Sequence, residues 1–467
     1  MQAESWQSAG HRQRVDFDPV SRVAGGLALR TTVDTERGAV VEASALATQY
    51  RGYEEILEGR DPRDAIFISS RACGVCGGAH AKTSALACEM AFGTAPPPMG
   101  IVSRNMMSAT ENLCEHPVHL FTRAGPDFCE PIVRQTNPEL WARAEQTPAA
   151  GVATHGYRRV SDIMSAMTPF SGRLYREALE MSRIAREAYV LVGGKYPHPQ
   201  TIVPGGISST IDPTDQNVML LRVTRFFDYS RVVAAVWDDI ADFFLAADPR
   251  FEEVGAGPKN FLDHGQWDDP DAYDATFENA PAWGERRWST PGVMVDGRVR
   301  TTNLHQIDSG VEEFVAHSFY DDWSADGRGY GSDPAGNKVS ARHPWNKQTL
   351  AQPGGPDIGG KYSWSTAPRW DRLAMETGAA ARMWITSSAR KQPYARFIEA
   401  TGHSLRMSLP QAALPAATVE WRQPERWNAL ERNRARAYSM VHATLVAYEN
   451  LLMGFTLTRN GGPDARV

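Results

Sequence analysis

The sequence predicts an α+β protein: a large helical bundle with an N-terminal β-meander and a β-rich insertion. Three patterns predict it. Residues 14–50 alternate apolar and polar positions in short runs, Val15-Asp16-Phe17-Asp18 and Leu27 to Val33. With a turn at Glu36-Arg37-Gly38, that is the signature of a meander of about three strands. Residues 160–193 and 214–247 repeat bulky apolar side chains at i, i+3, i+4 and i+7, as in Leu174, Ala178, Met181 and Ile184. Such a stripe belongs to bundle helices. Between 248 and 345 the composition shifts to Asp, Gly, Trp and Asn, with a hairpin-like piece from Val293 to Val299. This is the β-rich insertion. The chain therefore divides into an N-terminal β region (1–50), a helical-bundle region (51–247), the insertion (248–345) and C-terminal helices (346–467), all expected within one domain.

Bulk properties exclude several classes. The 467 residues are 42% hydrophobic and 22% charged, the balance of a soluble globular protein. The net charge is −6 and no basic run tracks a phosphate backbone, so nucleic acid is excluded as a partner. Five cysteines without framework spacing predict no structural disulfide and fit a reducing compartment. The first fifteen residues are polar and lack the apolar core of a secretory signal, and no apolar run approaches ~18 residues. The expectation is a cytoplasmic protein that meets a membrane only through a partner. Thirteen tryptophans and fifteen methionines suit a large core or an extended protein–protein face.

The stretch richest in chemistry is Arg71-Ala72-Cys73-Gly74-Val75-Cys76-Gly77-Gly78-Ala79-His80, followed from Ala81 to Phe92 by good helix formers. The thiols thus lie on the turn entering a helix, where unpaired N–H groups and the positive dipole end favour thiolates. A Cys-x-x-Cys by itself leaves metal binding and redox exchange open. A zinc ribbon needs a second pair, and Cys88, Cys114 and Cys129 are single and scattered. As a whole, Arg-x-Cys-Gly-x-Cys-x-x-x-His resembles the N-terminal metal motif of the large subunit of [NiFe] hydrogenases.

The resemblance runs from Asp16 to Phe455. Asp18-Pro19-Val20-Ser21-Arg22-Val23-Ala24-Gly25-Gly26 is similar to the family's Asp-Pro-x-Thr-Arg-x-Glu-Gly-His element. Ala24 stands where the family has its proton-relaying glutamate, and Gly26 where it has a histidine. The run Arg51 to Ala65 resembles Arg-Gly-x-Glu…Gly-Arg-Asp-Pro-Arg-Asp-Ala. By that likeness Glu54 would sit beside a structural Mg2+, a hard ion suited to carboxylate; Glu55 and Glu58 read as a charged helix face. A long apolar-periodic segment, Ile101 to Phe121, carries Glu115-His116-Pro117-Val118-His119, like the family's Asp-His-x-x-His. The two histidines share a helix face, so a metal pair and a structurally satisfied core pair are both open. Cys114 and Cys129 read as small apolar packing residues. Lys195 to Gly206 resembles His-Pro-His-Pro…Gly-Gly, with Tyr196 replacing the first histidine and His198 reading as a loop-fixing residue. Downstream, His343 to Lys347 precedes Lys361-Tyr362-Ser363-Trp364 … Pro368-Arg369-Trp370 … Glu376 … Ala381-Arg382, a further family signature. Helices over 378–402 and 425–457 end the chain.

The resemblance implies the large, catalytic subunit of a [NiFe] uptake hydrogenase, leaning toward the actinobacterial-type, high-affinity group. Its cofactor would be a Ni–Fe(CN)2(CO) centre, with Cys73 a terminal nickel thiolate and Cys76 a Ni–Fe bridge; soft thiolates suit both metals. His80 would hydrogen-bond the bridging sulfur, Glu115 would lie on the gas-facing side as a substitute acid, and Arg71 would anchor the loop. Electrons from H2 would pass to iron–sulfur clusters in a separate small subunit, with heterodimers assembling further. The family's last motif, Asp-Pro-Cys-x-x-Cys-x-x-His, finds no match, since no cysteine follows Cys129. The expectation is a piece of a longer protein. A second polypeptide completing the site, a degenerate non-catalytic scaffold and an H2-sensing regulatory subunit are the alternatives.

Overall fold

The computed structural model describes residues 5–321, 329–346, 349–352, 358–389 and 395–467, without the side chains of 5–9 and 358. Lys347 of the His343 run lies outside them. The chain forms two units: 1–59 with 308–374, and 60–307 with 375–467.

In the first unit, β1 (Ser5–Ala9), β2 (Arg12–Phe17), β3 (Leu27–Asp34) and β4 (Ala39–Ala47) form an antiparallel meander in that order. That is one strand more than the alternation predicts, because β1 reads Ser-Trp-Gln-Ser-Ala and carries no apolar period. The β3–β4 turn is locked where expected: Asp34 Oδ1 accepts from the backbone N–H of Glu36 (3.1 Å) and Arg37 (3.0 Å), an Asx turn. The Lys361 signature packs against the end of this sheet. Trp364 N–H donates to Ala47 O at 2.9 Å and its ring lies 4.6 Å from that of Tyr50. The strand Val311–Phe314 pairs antiparallel with Ala367–Trp370. The insertion expected over 248–345 is therefore divided between the two units rather than closing on itself.

The second unit is the bundle. Its principal helices are α1 (Asp64–Ser70), α2 (Gly77–Phe92), α3 (Pro98–Val118), α4 (Arg173–Gly193), α5 (Arg225–Ala247), α6 (Ala379–Ala389) and α7 (Ala429–Arg459). The axis is α7, buried without interruption from Ala437 to Ala447 and packed against α3, α5 and α6; α3 packs in turn on α4. Asn428 caps α7, its side chain accepting from Glu431 N–H at 3.0 Å, a cap worth about 1 kcal/mol. Leu113, Phe121, Tyr189, Trp237 and Leu445 are among the core residues with no exposed surface.

Three predicted helices are shorter than their patterns. The 160–193 pattern splits into Val160–Ala166 and α4 around Pro169 and Gly172. The 214–247 pattern splits into Pro213–Val223 and α5 at Thr224. The helix expected over 378–402 is described from Ala379 to Ala389, residues 390–394 lie outside the described residues, and Ile398–Ala400 is instead a strand.

Candidate metal centre

The thiol loop is held at both ends by helices. α1 closes at Arg71, whose backbone N–H returns to Ile68 and Ser69 and whose Nη1 donates to Phe67 O at 2.9 Å. Arg71 is thus tied to the helix behind the loop. Cys76 is the N-cap of α2. Both cysteines are half-buried, and Cys76 N–H donates to Cys73 Sγ at 3.1 Å. That bond and the helix N-terminus both stabilise negative charge on sulfur. The structure joins the two sulfurs as a disulfide, against the expectation of none, with the Cα atoms 5.3 Å apart. This separation is ordinary for bridged cysteines, and it also lets two thiolates share one metal.

Opposite the loop stands α3. Its Glu115 accepts from the Tyr196 hydroxyl at 2.5 Å, and the same hydroxyl lies 3.3 Å from Val75 O, between the two cysteines. Tyr196, the departure from the family's histidine, therefore links Glu115 to the thiol loop. His198 bonds Ser70 Oγ through Nδ1 at 3.1 Å, which fits its expected loop-fixing role. A Cβ on Gly77 would stand 2.5 Å from that Nδ1 and from Pro197 O, so only glycine lets the loops approach this closely.

One turn before Glu115 lies Glu111, which the sequence pattern does not single out. It is buried, and its carboxylate accepts from Gly78 N–H at 3.1 Å and from Ala79 N–H, both on the first turn of α2. Burial pushes its carboxyl up to about 8, the two backbone donors opposing. The signal available in the sequence was the pair Gly77-Gly78: a Cβ at Gly78 would stand 2.5 Å from the Tyr189 hydroxyl and 2.9 Å from both Glu111 carboxylate oxygens.

The remaining candidates separate. His80 sits on the first turn of α2, exposed, its N–H bonded to Cys76 O at 3.3 Å. His116 and His119 face the core: His116 Nε2 meets Ser439 Oγ at 3.2 Å and His119 bonds the Asn433 side chain. Burial and neighbouring arginines hold both imidazoles neutral, His119 down to about 4. Cys88, Cys114 and Cys129 are buried and free, and Cys114 is pushed up to about 11 by burial. Glu54 belongs to the other unit, where it accepts from the Tyr320 hydroxyl at 3.0 Å.

Two half-buried sulfurs converging at a helix N-terminus suit a soft transition metal. Among the described residues no three His, Cys, Asp or Glu side chains gather as a metal set. The pair therefore offers two soft donors toward a larger ligand sphere.

The thiol pair thus stands at the head of a bundle helix, with a small β unit beside it in sequence. The family profile described as nickel-dependent hydrogenase matches residues 51–166 and 170–445. The chain belongs to that family, as a [NiFe] hydrogenase large subunit. It resembles the actinobacterial-type NiFe-hydrogenase of Ralstonia eutropha H16 with a TM-score of 0.93 and 36% identity, over 97% of this chain and 83% of that one. It is 30% identical over 390 residues to the periplasmic [NiFeSe] hydrogenase large subunit of Desulfomicrobium baculatum, covering 81% of this chain and 65% of the relative. The uptake hydrogenase large subunit of Rhodobacter capsulatus is 28% identical over 455 residues, 86% of this chain and 72% of that one. No helix among the described residues is long and apolar enough to cross a membrane.

Proposed function

We propose that this chain holds part of a Ni–Fe(CN)2(CO) centre and oxidises H2, passing electrons to iron–sulfur clusters of a small subunit. The observation that carries this is the Cys73–Cys76 pair, sulfur facing sulfur at the N-terminus of α2 inside the family's motif. Cys73 and Cys76 would be two of the thiolates that hold it, and two further thiolates would complete the set. When bound, the centre supplies heterolytic cleavage of H2. The chain's own residues do the rest. The α2 N-terminus and Cys76 N–H stabilise sulfur as thiolate, Arg71 fixes the loop to α1, and His80, on the first turn of α2, would hydrogen-bond the Cys76 sulfur. Glu115, held by Tyr196, shapes the gas-facing side. Glu54 is a carboxylate for a structural Mg2+. The likeness to the uptake hydrogenase large subunit of Rhodobacter capsulatus supports the direction of reaction. Partnered heterodimers, assembling further in the cytoplasm and reaching a membrane only through a partner, complete the proposal.

The test is H2-dependent reduction of a viologen dye by the complex purified through this chain, with nickel and iron measured in the same sample. Both metals and dye reduction are expected. A complex that binds neither metal under reducing conditions contradicts the reading.

A further inference from the structure

One hydroxyl stands between two acceptors beside the thiol loop. Tyr196 Oη lies 2.5 Å from Glu115 Oε1 and 3.3 Å from Val75 O. A phenol has a single proton to donate, whereas a carboxylate and a carbonyl can only accept. The shorter, charge-assisted bond holds that proton at Glu115 and leaves Val75 O a weak share. The ring itself is fixed, packed edge-on against the buried Tyr189 with centroids 5.2 Å apart. The hydroxyl proton can therefore turn between its acceptors while the side chain stays in place. A histidine here has its N–H fixed in the ring plane and could not turn one proton in this way.

Val75 O sits where this choice reaches sulfur. The Val75 carbonyl and the Cys76 N–H belong to one planar peptide group, and that N–H donates to Cys73 Sγ at 3.1 Å. A donor on the carbonyl polarises the peptide and strengthens its N–H as a donor, by about 10–30% per bond. The contacts thus run from Glu115 through Tyr196 and one peptide to the Cys73 sulfur, with no gap longer than 3.3 Å.

We propose that Tyr196 is a positioning residue through which the charge of Glu115 sets the hydrogen bond on the Cys73 sulfur. While Glu115 is charged it draws the phenol proton, and the bond to sulfur is weak. When that charge is removed the proton turns to Val75 O, and the bond to sulfur strengthens. No covalent bond changes and nothing is oxidised or reduced. The stronger bond favours negative charge on sulfur, as a free thiolate or as a metal ligand. Its part in turnover rests on the hydrogenase reading above, whereas the coupling itself belongs to the metal-free chain.

The test is a double-substitution cycle on the full metal-free chain, with Glu115→Ala and Tyr196→Phe made singly and together. The first readout is the Cys76 amide proton shift in the reduced chain, carrying nitrogen-15-labelled cysteine, where only five cysteine amides appear. The second is the Cys73–Cys76 dithiol–disulfide equilibrium against glutathione. Glu115→Ala is expected to move the Cys76 amide downfield and the equilibrium toward dithiol. That move toward dithiol is expected to be roughly two- to fourfold larger with Tyr196 present than in the Tyr196→Phe background. The lost charge acts on sulfur directly in both backgrounds, so the difference isolates the path through the hydroxyl. Tyr196→Phe alone is expected to move the amide upfield, which keeps the test decisive if Glu115→Ala does not fold. Equal responses in the two backgrounds overturn the proposal, as does a Cys76 amide unmoved by Tyr196→Phe. Neither readout depends on nickel or H2, so the hydrogenase reading stands or falls separately on the dye assay.

Discussion

Cys76→Ser is expected to leave the purified complex without nickel and without H2-dependent dye reduction, while the bundle stays folded. Cys76 is half-buried at the N-cap of α2, where serine is a favoured capping residue. The helix therefore keeps its start, and the change falls on the donor atom. A serine hydroxyl is a hard, weakly acidic oxygen that replaces a soft thiolate poorly on nickel. On the proposed reading the two sulfurs act as one ligating unit, so the loss should be near complete. Metal analysis and circular dichroism of the same preparation check both halves. Retained nickel with retained dye reduction would mean that the metal sits elsewhere.

Glu89→Ala is expected to cost about 3–5 kcal/mol of stability, since it leaves a buried charge without its partner. Glu89 lies on α2 with no exposed surface. Its Oε1 accepts from Arg104 Nη2 at 2.6 Å and from Gly205 N–H at 2.8 Å, and its Oε2 from the Tyr273 hydroxyl at 3.2 Å. Arg104 also donates to Val203 O and Gly206 O, so this pair fastens α2, α3 and the 203–206 loop at one point. Glu89→Gln keeps the acceptor and should recover part of the loss. Urea denaturation provides the measurement. A shift under ~1 kcal/mol would show that Arg104 finds enough compensation in the two carbonyls.

The thiol motif was legible because its chemistry is local: Cys73, Cys76, the glycines and the helix formers after them lie within one short run. The bundle helices were legible for the same reason, through their apolar period. Helix ends were less so. The periodicity carried across Pro169 and Thr224, where backbone geometry rather than side-chain pattern decides. Strand β1 was missed because a Ser-Trp-Gln-Ser-Ala segment pairs through its backbone and shows no alternation. Glu111 was unreadable as a site residue. Its role depends on α3 delivering a carboxyl to the first turn of α2, thirty-three residues away in sequence. The Glu89–Arg104–Tyr273 cluster and the Lys82–Asp268–Arg287 cluster were hidden likewise, since ion pairs between distant helices leave no spacing to find. His116 and His119 show the opposite outcome. Their i, i+3 spacing allowed a metal pair, but the bundle turns both inward, onto Ser439 and Asn433.

The most direct test of the central claim is formation of HD from D2 in ordinary water by the purified complex, without any electron acceptor. Heterolytic cleavage at a centre held by Cys73 and Cys76 predicts HD from the wild-type complex and none from Cys76→Ser. A wild-type complex that carries nickel and iron yet releases no HD would contradict the account.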